Sequence, residues 1–266
     1  MKPLLRWAGS KRKLIPQLSQ YWTDPQRRYI EPFAGSATLF FALQPAAAVL
    51  SDINPELVAF MTEVQANAEA VYNQAIKFPK NSKSYYAIRK LAIDKLSNTK
   101  RAARFYYLNR FCFNGIYRTN EKGMFNVPYS GAGTGTFPKL EEFLASVAIL
   151  KRARILNTDF ETTLLQNANE NDFVYLDPPY AVGNRRIFRQ YGPNSFGLED
   201  LGRLAKLLTE LNRRKAQFVL SYAYCAEAIK AFAGWPQKKV FSQRNIAGFA
   251  KNRRRAAELI ISNVQC

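Results

Sequence analysis

The chain contains no histidine in its 266 residues. A histidine general base, a Ser-His-Asp triad and a zinc site built on imidazole are therefore excluded. Cysteine is nearly as scarce: Cys112, Cys225 and Cys266 lie far apart without CxxC spacing, so no metal site can be read from them. Acidic residues are few, 20 Asp and Glu against 39 Lys and Arg, which leaves a formal charge of +19 and a pI near 10.0. A polyanion is the partner to expect, nucleic acid first. No uncharged apolar run reaches the length of a membrane span, and Met1-Lys2-Pro3-Leu4-Leu5-Arg6 lacks the apolar stretch of a signal peptide. The expectation is a cytoplasmic protein. There is no GxGxxG run, internal repeat or long Pro/Gly/Ser linker. Chemistry must rest on carboxylates, amides, hydroxyls, lysines or a bound cofactor.

What is present is an α/β pattern with 47% hydrophobic residues, enough for a large core. Arg28-Tyr29-Ile30-Glu31 reads as a strand that breaks into Pro32-Phe33-Ala34-Gly35-Ser36, followed by an apolar helix over Thr38-Leu39-Phe40-Phe41. A second strand, Ala47 to Ser51, ends at Asp52, and Pro55 opens another helix. Strand, glycine turn, helix, strand and acidic residue make a Rossmann-like opening. Further strands are read at 153–157, 172–176, 217–221 and 258–262, with a helical pattern over 199–214. Their uncharged runs suit strands of a mostly parallel sheet. The segment 65–140 differs, being rich in Tyr, Asn, Lys and Arg, helical as far as Gly115, with a polar hairpin at 115–128. Most of its aromatics Phe105, Tyr106, Tyr107, Phe111 and Phe113 are expected in a helical core. We read domains at 1–56 with 141–266, and an insertion at 57–140.

The most informative tetrapeptide is Asp177-Pro178-Pro179-Tyr180, directly after an apolar strand. A carboxylate at the carboxyl end of a parallel strand stands where open α/β sheets bind ligands. Two prolines stop the ladder and aim carbonyls outward, while Tyr180 offers a flat face for a base. Asp177 and the Pro178 carbonyl can accept both N–H bonds of an exocyclic amine, leaving its lone pair for an electrophile. In the second element, Gly35 permits close approach of a ligand and Asp52 is placed to bind ribose hydroxyls. With no pyrophosphate cradle, an adenosyl ligand fits better than a dinucleotide.

Trp7-Ala8-Gly9-Ser10-Lys11 completes the set, and with it the sequence resembles the Dam family, the D12 class (alpha group) of DNA adenine-N6 methyltransferases. The resemblance rests on six segments in the family's order: Trp7 to Lys11, Pro32 to Gly35, Asp52-Ile53-Asn54, Asn109 to Arg118 with its NR…NG…R spacing, Phe125-Asn126-Val127-Pro128, and Asp177 to Tyr180. It runs essentially end to end. It implies a Rossmann-like S-adenosylmethionine-dependent methyltransferase sheet with an inserted, mainly helical target-recognition domain bearing a β-hairpin. RNA guanine-N2 enzymes share a proline-proline motif but lack this start and insertion, and cytosine-N4 enzymes usually have Ser in the place of Asp177. A DNA-binding scaffold that has lost catalysis is hard to reconcile with Trp7, Lys11, Asp52 and Asp177 together.

The resemblance also implies roles. Trp7, Ala8, Gly9, Lys11, Pro32, Phe33, Gly35, Asp52, Asp159, Phe160 and Asp177 would bind S-adenosyl-L-methionine. Asp177, Pro178, Pro179 and Tyr180 would hold an adenine flipped out of double-stranded DNA, with direct transfer of the methyl group and no metal. Asn114, Arg118, Asn120, Lys122, Asn126 and Pro128 would read the DNA, with Ile116 or Tyr117 wedged into the vacated stack. GATC-reading members have Lys before the Trp where this chain has Arg6, so Arg6 joins the DNA contacts and GATC or a related short site is the expected target. The basic residues Arg185, Arg186, Arg189, Lys251, Arg253, Arg254 and Arg255 are expected at phosphates. Action on one strand at a time suits a monomer.

Overall fold

Alternation along the strands sets the architecture, because successive side chains of a strand point to opposite faces. In the computed structural model, which describes residues 1–131, 133–181, 196–243 and 255–264, Tyr29, Leu50, Phe173, Tyr175, Val219 and Ile260 enter one buried cluster. Their neighbours Ile30, Val49, Val174, Phe218, Leu220 and Ile261 enter a second on the other face. The strands are β1 (Tyr29–Glu31), β2 (Ala48–Ser51), β3 (Ala153–Leu156), β4 (Phe173–Leu176), β5 (Gln217–Ala223), β6 (Gln237–Gln243) and β7 (Arg255–Ser262). They form one sheet in the order β3-β2-β1-β4-β5-β7-β6. The first five are mutually parallel, and β7 runs antiparallel between β5 and β6. Burial of β2 and β4 on both faces explains their uncharged sequences.

Helices cover both faces. A short α1 (Ile15–Leu18) precedes the sheet, and α2 (Thr38–Leu43), α3 (Pro55–Ile76), α5 (Asn98–Phe111) and α6 (Leu140–Leu150) contribute to the first cluster. The second is closed by α7 (Phe160–Asn167), α8 (Leu198–Arg213) and α9 (Ala226–Ala231). Helix α8 buries Leu201, Leu204, Leu207, Leu208 and Leu211, a stripe at helical spacing. Asn54 caps α3, its side-chain oxygen accepting from the N–H groups of Glu56 and Leu57. Helices α3, α5 and α6 share their apolar faces with the sheet, so much of segment 57–140 is continuous with the main core.

A smaller core lies between α4 (Ser82–Arg89), the end of α5 and the following loop, from Tyr85, Ile88, Tyr107, Leu108, Phe111, Cys112 and Val127. The loop is a hairpin closed by single antiparallel bridges at Cys112–Tyr129 and Thr119–Phe125. Phe105, Tyr106, Tyr107 and Phe111 are buried as expected, but Phe113 is 46% exposed. The reason is local: α5 ends at Phe111, and Asn114 and Gly115 both take positive φ, at 54° and 64°, turning the chain outward. Strand β6 is also an addition to the sequence reading. Arg185, Arg186, Arg189, Lys251, Arg253, Arg254 and the side chain of Arg255 lie outside the described residues.

Candidate active site

The strand order reverses between β1 and β4, and at such a switch point a crevice opens beyond the carboxyl ends of the strands. Asp177 follows β4 there, and Glu31 ends β1. Lys11 reaches in from the amino-terminal segment, its Nζ donating to Asp177 Oδ1 at 2.5 Å. The same carboxylate oxygen accepts from the Ser221 hydroxyl at 3.2 Å, and Ser221 is hydrogen-bonded to the Tyr175 hydroxyl at 3.0 Å. Tyr180 stands with its ring centroid 5.3 Å from Lys11 Nζ and packs edge-on against Tyr222, whose hydroxyl accepts from the Ala181 N–H at 2.6 Å. Pro178 is buried and Pro179 half-buried. The sequence reading missed Glu258. On β7 and 3% exposed, it brings Oε2 within 3.8 Å of Lys11 Nζ and accepts from the Tyr180 hydroxyl at 3.5 Å. Its signal was one acidic residue in an otherwise apolar strand.

Burial governs the ionisation of this cluster. It pushes Asp177 upward; the Lys11 charge and hydrogen bond pull back, leaving the carboxyl above its ordinary value. Burial by itself would depress Lys11, yet Asp177, Tyr180 and Glu258 reverse the effect and hold the ammonium above its usual range. Glu31 is 2% exposed, accepts from the Tyr29 hydroxyl at 3.0 Å and is held well above the ordinary carboxylate range by burial. The cluster therefore has an ammonium, Lys11, facing two carboxylates from β4 and β7.

Beside it lies the turn after β1. Asp52 Oδ2 accepts from the Gly35 N–H at 2.9 Å and Oδ1 from the Asn54 N–H at 2.9 Å. Burial raises the Asp52 carboxyl, and these backbone bonds pull back. The carboxylate keeps acceptor capacity for a hydroxyl group. Gly35 has φ +48°, and a Cβ there would lie 2.9 Å from Cδ1 and Nε1 of Trp7, so glycine is required by conformation and by the indole. Phe33 stacks on Phe160 at 5.1 Å, and both approach Phe196. Asp159 caps α7 and pairs with Arg203 at 3.0 Å. Pro32 is buried, whereas Gly9 makes an exposed turn at φ +85° next to half-buried Ala8. Ile53, directly after Asp52, is 55% exposed and adds an apolar face that the sequence reading did not single out.

The hairpin is joined to this region by Tyr117, which stacks on Trp7 at 5.8 Å and contacts Phe105 and Phe125. That packing commits Tyr117 to the protein. Arg6 is anchored as well: its backbone N–H donates to Asn109 Oδ1, its carbonyl accepts from Asn109 Nδ2, and its guanidinium donates to the Arg110 carbonyl. Asn114, Asn120, Lys122 and Pro128 are exposed. Arg118 Nε donates to Asn126 Oδ1 at 2.8 Å, tying the two arms of the hairpin, and Asn120 Oδ1 accepts from the N–H groups of Lys122 and Met124 to shape its tip. Phe113 and Met124 are the large apolar side chains exposed on this loop.

A sequence model of the D12 class N6 adenine-specific DNA methyltransferases matches residues 7–247. The chain belongs to that family. The methyltransferase is 32% identical to the type II methyltransferase M1.LlaDCHI of Lactococcus lactis subsp. cremoris, over 99% of this chain and 95% of that one. It is 34% identical to the type II methyltransferase M.MjaIII of Methanocaldococcus jannaschii, over 92% and 93%. It is 31% identical to the DNA adenine methylase of Haemophilus influenzae, over 97% and 92%. As an adenine-specific DNA methyltransferase it takes DNA as substrate, and methyltransferase membership and fold imply S-adenosylmethionine as methyl donor. Among the described residues no helix is long and apolar enough to cross a membrane, and no cluster of His, Cys, Asp or Glu is suited to a metal ion.

Proposed function

We propose that the enzyme methylates N6 of an adenine flipped out of duplex DNA, within GATC or a related short site, acting as a monomer inside the cell. The observation that carries this reading is the Asp177-Pro178-Pro179-Tyr180 segment at the switch point, with Asp177 next to a buried ammonium and Tyr180 beside it. A base paired in the duplex cannot bring its amine to so recessed a carboxylate, which is why extrusion is part of the proposal. Asp177 and the Pro178 carbonyl accept the amine's N–H bonds, Pro179 fixes the turn, and Tyr180 stacks on the ring. As the amine nitrogen becomes cationic, the Asp177 contact strengthens, so the carboxylate favours the transition state over the ground state.

The adjoining turn suits an adenosyl cofactor. Asp52 has acceptor capacity left for ribose hydroxyls, Gly35 opens a space that a Cβ would fill, and Trp7, Phe33 and Phe160 line it with aromatic surface. Pro32, Ala8 and Gly9 shape its backbone, Asp159 stands at its rim, and Lys11 and Asp177 form the floor toward the base. When bound, S-adenosylmethionine supplies an activated methyl group on a sulfonium. Segment 57–140 is the target-recognition insertion, with Arg6, Asn114, Arg118, Asn120, Lys122, Asn126 and Pro128 toward the DNA. Phe113, exposed on the turn after α5, takes the wedge role in place of Tyr117, since an apolar side chain can fill the gap left by an extruded base.

The test is methyl transfer from labelled S-adenosylmethionine to a mixed-sequence plasmid, with modified bases mapped at single-nucleotide resolution. N6-methyladenine in one short motif supports the reading. Label on cytosine, on RNA alone, or scattered without a motif refutes it.

A further inference from the structure

Lys11 holds one oxygen of the carboxylate that the proposed chemistry requires. Its Nζ sits 2.5 Å from Asp177 Oδ1, on the carboxylate to which an incoming amine would donate. A fixed cation there opposes a reaction that makes the amine cationic, and an ammonium buried away from carboxylates is costly. Glu258 resolves both difficulties. Its Oε2 is 3.8 Å from the same Nζ, so a movement of about 1 Å gives Lys11 a full charge-assisted bond to it. Glu258 is held for this purpose on β7, opposite Ala223 of β5 and Val240 of β6, with its side chain 3% exposed. The same oxygen accepts from the Tyr180 hydroxyl, which ties the wall of the base pocket to the residue that would receive Lys11.

We propose that Glu258 is a positioning residue for methyl transfer, the carboxylate to which Lys11 passes its ammonium when the target amine takes up Asp177. Lys11 thus guards Asp177 in the free enzyme and keeps its carboxyl from facing burial unpaired. When the base enters, the ammonium moves to Glu258 and Asp177 is released to the amine with no buried charge left without a partner. The proposal rests on the flipped-adenine reading above, and its test separates the two.

Glu258→Gln keeps the shape and an acceptor for Tyr180 but removes the charge Lys11 needs. Single-turnover methylation of duplex DNA at saturating cofactor is expected to fall by about 10- to 100-fold, below or at the lower end of what loss of a direct transition-state contact costs. Cofactor affinity and duplex affinity are expected within twofold of wild type. The discriminating signal is fluorescence from 2-aminopurine in place of the target adenine. That base has no amine at position 6 and makes no demand on Asp177, so its emission on extrusion should match wild type. A variant that methylates like wild type overturns the handover while leaving the flipped-adenine reading intact. Loss of cofactor binding and 2-aminopurine emission together with rate makes Glu258 merely structural and also overturns it. Wild-type enzyme that leaves 2-aminopurine stacked counts against extrusion itself, and both readings fall. If the Gln variant does not fold, Glu258→Asp, which keeps the charge one methylene further back, serves instead. A several-fold rate loss with unchanged 2-aminopurine emission supports the handover, and an unchanged rate refutes it.

Discussion

Replacing Lys11 by Met removes the ammonium next to Asp177 at nearly constant side-chain length. At the 2.5 Å separation seen here, the Coulomb attraction in an effective dielectric of about 20 is about 6–7 kcal/mol. The desolvation of the two charges takes back part of that, so about 3 kcal/mol is expected as the differential effect on Asp177, the lower end for breaking a buried pair. Without the ammonium, the Asp177 carboxyl rises further. Burial already holds it above its ordinary value, so the shift adds to one of the same sign. Asp177 must be ionised to hold the amine, and the acid limb of the kcat/KM profile should move to higher pH. Stability follows the same sign. A carboxyl whose folded pKa lies above its unfolded value is destabilised on ionising, so the deficit of Lys11→Met relative to wild type should be small near pH 4 and grow toward pH 8. Steady-state rates and urea unfolding across that range provide the assay. A variant whose acid limb coincides with wild type, or whose stability deficit is constant with pH, refutes the coupling.

Asp177→Ala should lower single-turnover methylation by about 10³-fold or more while duplex affinity by gel shift is retained, and retained turnover would exclude Asp177 from the site. Tyr180→Phe should be tolerated far better than Tyr180→Ala, because the ring stacks while the bond from the hydroxyl to Glu258 is long; equal rate losses would assign the role to the hydroxyl. Gly35→Ala should weaken S-adenosylmethionine binding measured by calorimetry by about 1–3 kcal/mol, from positive-φ strain and displacement of Trp7; an unchanged Kd would remove this turn from the pocket. Tyr117→Ala loses a stacked pair worth about 0.5–1.5 kcal/mol beyond its buried area, and should raise KM for cofactor and DNA together, whereas a change in one alone would mean that the Trp7 contact does not couple them.

Central strands were legible because burial on both faces favours apolar sequence, broken in β1 by Glu31 at its end. Tyr29–Glu31, Ala48–Ser51, Phe173–Leu176 and the start of Gln217–Ala223 fall within a residue or so of their expected places. Helix α8 was equally plain from its leucine spacing, and the capped start of α3 from Asn54-Pro55. Strand β6 escaped because it is an edge strand carrying Lys238 and Lys239, which solvent tolerates and which erase any alternation. Phe113 escaped because composition cannot tell an aromatic just inside a helix end from one just beyond it. Phe111 and Phe113 are two residues apart, yet one is 1% and the other 46% exposed, and the difference is a turn at Asn114 and Gly115.

The charge arrangement at the site was the least legible feature, because its members are held by different strands and none determines the others locally. Lys11 and Glu258 lie near opposite ends of the chain and meet since β7 is inserted antiparallel beside β5, a pairing with no local sequence mark. What the sequence did carry was a thermodynamic clue. A glutamate in the run Ala256-Ala257-Glu258-Leu259-Ile260-Ile261 sits where a strand should be apolar, and a buried carboxylate requires a cation or a donor. In a chain without histidine the partner had to be a lysine, an arginine, a hydroxyl or an amide. Among the described residues, Lys11 is a cation near Glu258 that also touches Asp177, so the acidic residue in β7 belongs to the same charge balance as the residue proposed to hold the base. A substitution at either carboxylate must therefore be judged by what Lys11 does next.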